Sequence, residues 1–533
     1  MSDKRQKRIE QIIARDRRYK KLIYNRIIIT FSLILLQIAL SAFILLKLYS
    51  SVGRVILFFV DMLGVFSVLY IINQNEKPSA KLNWIIIILI FPPVGLFLYL
   101  LFGRGRPTKR MNKKISAAKA ENAPLLVQDE KAWELVQESG RAGTTCKYLL
   151  NLAKYPAFSD GDLQYYPSGE TMFQDMLKEM EKAKDFILAE YFIVSAGKMW
   201  DAFLSMLVKK ANEGVKIRFI FDDWGGILSL PPKYERYLES LHPNVKCLAF
   251  NPIIPVFTVR LNNRDHRKFL VVDGKTAFTG GINLADEYIN EKQRFGYWKD
   301  AGVKITGSAV GSFTAMFFNI WNAFRKDKEP LSDYLVNPSI PEQIESLSTE
   351  KERYLIQPYD DSPLDGENVG ETVYLDVINR AKDYLFISTP YLILDDFVRA
   401  ALCNAAKRGV DVRILTPAIP DKKTVFRLTR ANYPPLLKAG VKIYEYTPGF
   451  VHAKCMVSDD ESAVVGTINL DYRSLYLHFE DAVYFTKKSG VEAVKRDFEE
   501  SFSLSKQIQT DTIHRTIFGR LFDSFLRVFE TLV

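Results

Sequence analysis

Cysteine and histidine are scarce in this chain, with four of one and five of the other among 533 residues. Cys146, Cys247, Cys403 and Cys455 stand far apart, with no C-x-x-C pair and no histidine at zinc spacing. That argues against a disulfide framework and a zinc site, and leaves four free, mostly buried thiols. The N-terminus lacks the short apolar region and small-residue cleavage site of a secretory signal, so no cleaved leader is expected. Negative charge is in deficit: 62 Asp and Glu face 72 Lys and Arg, a net +10. Such a balance suits an anionic partner, either nucleic acid or an acidic membrane surface. Hydrophobic residues make up 48% of the chain, enough for a sizeable core, and its length implies two or three domains.

Long apolar runs are present, and they cluster near the start. A basic arm, residues 1–26, carries Arg15, Arg17, Arg18, Lys20, Lys21 and Arg26. An anchor over 27–106 follows, with candidate membrane segments at 27–46, 55–72 and 84–102. Crossing a bilayer takes roughly 20 apolar residues. Asp61 falls inside the second segment and should face another helix or the interface. Pro92-Pro93 and Gly95 interrupt the third, which must kink or stop there. Three such runs in a row point to transmembrane helices and a multi-pass protein. A second basic cluster (Arg104, Arg106, Lys109, Arg110, Lys113, Lys114) follows them. The positive-inside tendency wants both clusters on one side, whereas three full crossings would separate them. Either one segment is re-entrant or one cluster loses; the sequence leaves this open.

The rest of the chain repeats itself. After a polar, helical linker (107–155), Ala183-Lys-Asp-Phe opens a first lobe (156–325), and Ala381-Lys-Asp-Tyr recurs in a second (366–505). Each leads through a helix to a glycine and a β-branched run, Gly214-Val-Lys-Ile and Gly409-Val-Asp-Val. Helix, glycine cap, apolar strand, repeated, is an α/β pattern. Residues 326–365, rich in Pro, Ser and Asp, read as an inter-lobe linker. The tail (506–533) is expected as an amphipathic helix, with Ile513, Ile517, Leu521, Phe525 and Phe529 at every fourth position. Packing on the lobes and lying on a membrane suit that stripe equally.

Each lobe also carries one copy of a motif. His266-Arg-Lys268 is followed by Asp273 and Gly280-Gly-Ile-Asn283; His452-Ala-Lys454 is followed by Asp459 and Gly466-Thr-Ile-Asn469. A single His-x-Lys-x4-Asp match arises by accident on the order of a few per cent of the time. Two copies with the same downstream turn, using two of the five histidines, do not. Side chains two apart on a strand share a face, so His and Lys point the same way. Displacement at a phosphodiester needs a nucleophile, a proton donor for the leaving oxygen, and cations for the equatorial oxygens. Two histidines can divide the first two roles. Lys268, Lys454, Asn283 and Asn469 are the donors that would hold the phosphate. With no carboxylate cluster at either motif, no metal or other cofactor is expected.

The duplicated motif resembles the phospholipase D superfamily. The flanks Arg264-Asp-His-Arg-Lys, Gly296-Tyr-Trp-Lys-Asp300, Tyr446-Thr-Pro-Gly-Phe-Val-His-Ala-Lys454 and Asn469-Leu-Asp-Tyr-Arg-Ser474 are similar to the bacterial cardiolipin synthases. That resemblance implies two pseudo-symmetric lobes, each a mixed sheet flanked by helices, that bring the motifs together. It implies a catalytic set of His266, Lys268, Asp273, His452, Lys454 and Asp459, with Asp300 and Glu480 each orienting one histidine. Motif order favours His266 as nucleophile and His452 as acid and base, with the exchange of roles left open. Asp273 and Asp459, closing their strands, are expected to tether nearby backbone. His478 has no motif match and reads as a neighbour; His242 and His514 look ordinary. The implied reaction joins two phosphatidylglycerol molecules into cardiolipin and glycerol through a phosphohistidine, reversibly and without nucleotide. The implied setting is the bacterial cell membrane, with no nucleic-acid partner. Hydrolysis, or transfer to another alcohol, is the alternative. A nuclease is disfavoured by the apolar segments, and a decayed scaffold by the completeness of both motifs.

Overall fold

A computed structural model of the chain describes residues 51–74, 77–102, 109–227, 229–252, 262–336, 353–364, 366–509 and 517–528, with Ser32 and Leu35. The expected segment 27–46 therefore lies outside the described residues, apart from those two positions. Residues 55–72 fall in one helix, Ser51–Ile72, on which Asp61 is exposed. The third segment is not one helix but two, Pro78–Ile90 and Pro92–Phe102. Phe91 leaves helical geometry (φ −131°, ψ 69°), and prolines, which lack an amide hydrogen, suit the first turn of the next helix. The two helices fold back on each other. A Cβ on Gly95 would stand 2.5 Å from the Ile87 carbonyl oxygen, so only glycine allows that approach. Trp84 and Tyr99 meet edge to face across the hairpin, centroids 5.5 Å apart. Among the described residues no helix is long and apolar enough to cross a membrane. The expectation of transmembrane helices thus finds no span in this part of the chain.

Of the stretch expected as a linker, 107–155, the described residues 109–155 are built into the body. Helix Lys109–Asn122 buries Met111, Ile115 and Ala118, a stripe spaced for one helical face that the surrounding lysines conceal in the sequence. It lies along helix Val310–Phe324, where the Asn122 amide donates to Asn319 Oδ1 at 2.8 Å.

The first lobe contributes β1 (Leu163–Tyr166), β2 (Phe186–Tyr191), β3 (Lys216–Asp222), β4 (Val245–Phe250), β5 (Lys268–Val272), β6 (Thr276–Gly280), β7 (Tyr297–Lys299) and β8 (Gly302–Thr306). Seven of these form one sheet, β1-β8-β6-β5-β2-β3-β4. The second lobe contributes β9 (Ile356–Asp361), β10 (Tyr384–Ser388), β11 (Asp411–Pro417), β12 (Lys442–Tyr446), β13 (Gly449–Val451), β14 (Cys455–Ser458), β15 (Ser462–Gly466), β16 (Glu480–Phe485) and β17 (Ser505–Ile508). Its sheet runs β17-β12-β11-β10-β14-β15-β16-β9. The two orders superpose: β4-β3-β2 and β12-β11-β10 are parallel, each joined to an antiparallel His-x-Lys strand, β5 or β14. Parallel neighbours require helical crossovers, supplied by Lys198–Asn212 and Asp396–Lys407. One apolar core runs through both lobes, from Phe269, Phe313 and Phe317 to Val373, Leu385 and Val483.

Two boundaries differ from expectation because edge strands are short and weakly patterned. β9 was expected in the inter-lobe linker, yet it pairs with β16. β17 begins where the tail helix was expected, yet it pairs with β12. The tail helix itself is Ile517–Val528. One side docks on helix Lys423–Ala431, with Arg427 on Asp523 at 2.5 Å and an Arg527 guanidinium N–H donating to the Ala431 carbonyl. Phe518 and Leu521 remain exposed.

Candidate active site

Each histidine sits where its own strand begins and is held there by the other lobe. The His266 amide donates to the Phe479 carbonyl (2.8 Å), and the Phe479 amide donates to the Arg264 carbonyl (2.8 Å). The His452 amide donates to the Lys299 carbonyl (2.7 Å), next to the small parallel sheet of β7 and β13. Side chains cross in the same way. His266 Nδ1 lies 2.9 Å from both carboxylate oxygens of Glu480, and His452 Nδ1 lies 2.8 Å from Asp300 Oδ2. Glu480 and Asp300 are completely buried. A carboxylate at Nδ1 accepts a hydrogen bond from Nδ1–H, which fixes the tautomer and leaves Nε2 with a free lone pair.

The lysines reach back over the histidines. Lys268 and Lys454 each donate Nζ to the carbonyl of the histidine two residues before. Lys454 Nζ also stands 2.9 Å from His452 Nδ1. Burial is the main cause that pushes these groups toward their neutral forms. It takes Lys268 down to about 8 and Lys454 to about 7. Burial together with the Lys454 charge takes His452 to about 4, against the pull of Asp300. His266 is held well below its ordinary value by burial, then by Lys268 and Lys454. Both histidines are neutral near pH 7. Burial also raises Asp300, but His452 and Lys454 outweigh it and the carboxyl stays below its usual value.

The expected aspartates do not join this cluster. Asp273 follows β5, roughly 17 Å of strand from Lys268. Its carboxylate accepts from the amides of Lys184, Asp185 and Phe186 at 2.8–2.9 Å. Asp459 accepts from Lys382, Asp383 and Tyr384 at 2.9–3.0 Å in the same manner. Both adopt positive φ, 51° and 56°. The two asparagines differ from each other. Asn283 has both ends of its amide taken, Oδ1 by the Ile193 amide (2.9 Å) and Nδ2 by Tyr288 Oη (2.8 Å). Asn469 Oδ1 is buried and meets no hydrogen-bond donor among the described residues.

Several neighbours were not singled out from the sequence. Phe192 lies edge-on to His266 at 5.0 Å, and Tyr288 and Trp298 lie 5.3 and 5.2 Å from His452. Thr467 and Ser474 hydroxyls both donate to Glu480, the first at 2.5 Å. Both stood in quoted flanking motifs, which was the available signal. Of the other aromatics near the motifs, Phe450 lies 6.0 Å from His452, Phe269 packs into the core on Phe313, and Phe257 falls outside the described residues. His514 does too. His478 is close: its Nδ1 is 3.8 Å from Glu480, its ring 5.6 Å from that of His266. The ligand atoms of His266, His478 and Glu480 all lie within 4.8 Å of one another. Arg473, donating to His478 Nε2 at 3.4 Å, and the two lysines place positive charge around this trio, which opposes a cation there.

Two α/β lobes with crossed His–carboxylate pairs define a phospholipase D-type phosphodiester site. The fold agrees with the crystal structure of phosphatidylserine synthase from Haemophilus influenzae: TM-score 0.57 at 14% identity, covering 73% of this chain and all of that one. Residues 176–310 and 374–502 match the family described as "Cardiolipin synthase, PLD-like domain", and 62–104 match "Phospholipase_D-nuclease N-terminal". The cardiolipin synthase of Alkalihalophilus pseudofirmus is 32% identical over 475 residues, 88% of this chain and 92% of its own length. That of Geobacillus kaustophilus is 33% identical with the same coverage. An uncharacterized protein of Streptococcus mutans is 43% identical over 84% of this chain and 95% of its own. The chain belongs to the cardiolipin synthase family, and it is a phosphatidyltransferase of the phospholipase D superfamily.

Proposed function

We propose that the protein makes cardiolipin from two molecules of phosphatidylglycerol by two displacements at one phosphorus. His266 Nε2 attacks the donor phosphate; the P–N bond forms as the P–O bond to glycerol breaks. His452 passes a proton to the departing glycerol oxygen, and the bound phosphodiester's negative charge favours the imidazolium this requires. The hydroxyl of a second phosphatidylglycerol then gives its proton to His452 and attacks phosphorus. The P–N bond breaks and cardiolipin leaves. Lys268, Lys454 and Asn469 hold the phosphate oxygens, while Asn283 braces the Ile193 turn and Tyr288. No high-energy bond is consumed, so added glycerol drives the reaction back. No step calls on a metal or a nucleotide.

The observation that carries this reading is the crossed geometry: two buried, neutral imidazoles, each fixed at Nδ1 by a carboxylate from the other lobe. The apolar hairpin supports a place at the cell membrane. Its outer side exposes Leu82, Leu89, Ile90 and Phe91, and helix Ser51–Ile72 exposes Phe58, Phe59 and Phe66. A hairpin that enters and leaves lipid by one face returns Lys109 to the side of Lys77. Purified protein given labelled phosphatidylglycerol is expected to release cardiolipin and glycerol in equal amounts. Phosphatidic acid as the main product would overturn the reading in favour of a hydrolase.

A further inference from the structure

We infer that Lys77, in the turn of the apolar anchor, is a positioning residue for His266 and not only a docking contact. The inference rests on the transfer reaction proposed above.

Lys77 precedes helix Pro78–Ile90, yet its side chain reaches into the second lobe. Its ammonium lies 2.7 Å from both oxygens of Glu371 and 3.3 Å from Asp395 Oδ2. The ring centroids of Phe397 and Tyr476 are 4.6 and 5.2 Å away. Both carboxylate side chains are nearly inaccessible, 3% and 2% exposed, so they depend on this cation for compensation. Burial pushes Glu371 up, and the Lys77 charge opposes it.

From Lys77 the contacts lead to the site in three steps. Tyr476 donates its hydroxyl to Glu371 Oε1 at 3.0 Å. Tyr476 ends the five-residue helix Tyr472–Tyr476, capped by Asp471, whose carboxylate accepts from the Ser474 amide at 2.9 Å. On that helix the Ser474 hydroxyl donates to Glu480 Oε1, one of the two oxygens that hold His266 Nδ1. The Asn469 amide donates to the same Ser474 hydroxyl at 3.1 Å. One short helix thus carries the anchor's contact at one end and the support of Glu480 in the middle. A helix this short has little stability of its own and takes its position from what it touches. Removing the cation leaves Glu371 and Asp395 repelling each other beneath Tyr476. The helix shifts, and with it the carboxylate that orients the nucleophile.

The test uses the full chain with a short-chain, detergent-dispersed phosphatidylglycerol, so that delivery from a bilayer plays no part. Lys77→Met is expected to lower kcat about tenfold with little change in KM, and Lys77→Arg to restore most of it. Tyr476→Phe, which keeps the ring and loses the hydroxyl, should lower kcat about threefold without altering the melting temperature appreciably. An unchanged kcat in Lys77→Met, with loss confined to bilayer substrate, would show docking alone and overturn the inference. If Lys77→Met does not fold, an undiminished kcat in Tyr476→Phe overturns it instead. Wild-type protein that yields phosphatidic acid in place of cardiolipin would count against the proposed function and leave this comparison of kcat values intact.

Discussion

The two half-sites share a motif, a strand position and a crossed carboxylate, and they differ in how that carboxylate is held. In the first, His266 faces a glutamate from the second lobe that the hydroxyls of Thr467 and Ser474 fix in place. In the second, His452 faces a shorter aspartate from the first lobe. The Ala301 amide (2.9 Å) and the Trp298 indole (3.3 Å) hold it. The turns match this difference. Where lobe two has Thr467, lobe one has Gly281, and a Cβ there would come within 1.9 Å of Asp300 and 2.9 Å of the His452 carbonyl. A glutamate with a threonine and an aspartate with a glycine are two solutions to the same spacing. Symmetry of sequence therefore does not mean equality of support: two hydroxyls hold one carboxylate, an amide and an indole the other.

The sharpest way to break this comparison is to remove each histidine. His266→Ala and His452→Ala should each lose at least ~10⁴-fold in kcat, because residues that act as one unit fail together. With a substrate bearing a good leaving group, His452→Ala should still accumulate a phosphatidyl adduct detectable by intact mass, while His266→Ala should not. The reverse pattern would exchange the two roles. Next in size are the carboxylates. Glu480→Gln and Asp300→Asn keep the shape but let the wrong tautomer form, and losses of roughly 10²–10⁴ in kcat are expected. If only one of the pair falls, the two halves are less alike than their geometry.

Gly281→Ala and Thr467→Gly test the turns directly. The first must displace Asp300 or the His452 backbone and should cost at least about tenfold in kcat. The second removes one hydroxyl from Glu480 and should cost only a few-fold. Equal losses would refute the account of why the turns differ. The mildest effect is on the pH profile of kcat/KM. Lys454 near 7 and Lys268 near 8 lose their protons as pH rises, so activity should decline above about pH 7, as their folded values imply. The acid limb should lie below the ordinary histidine value of 6.5, since His266 is held well beneath it. Stability carries the same signature. The unfolded chain binds a proton at His452 between 6.5 and about 4 that the folded one does not, so stability should fall as pH drops through that window.

The repeat was legible because glycine caps and Ala-Lys-Asp openings are local signals, each set by a turn. The His–Lys pairs were legible for the same reason. Their carboxylate partners lie 214 and 152 residues away, and only the family resemblance pointed to them. Helix Lys109–Asn122 looked like a linker because its three buried apolar positions are outnumbered by its four lysines. β9 and β17 were missed because an edge strand needs few apolar residues, its partner supplying the rest. Neither asparagine could be separated from the other by motif, since the Ile193 amide and Tyr288 that occupy Asn283 both lie outside it.

The exchange of carboxylates between lobes has a consequence for synthesis of the chain. His266 is made long before Glu480, and until β16 joins its sheet the first motif has no group to hold its imidazole. A nascent or truncated chain that ends before Glu480 therefore carries the first motif without the carboxylate that fixes its tautomer. The paired geometry is complete only when the last third of the polypeptide has docked.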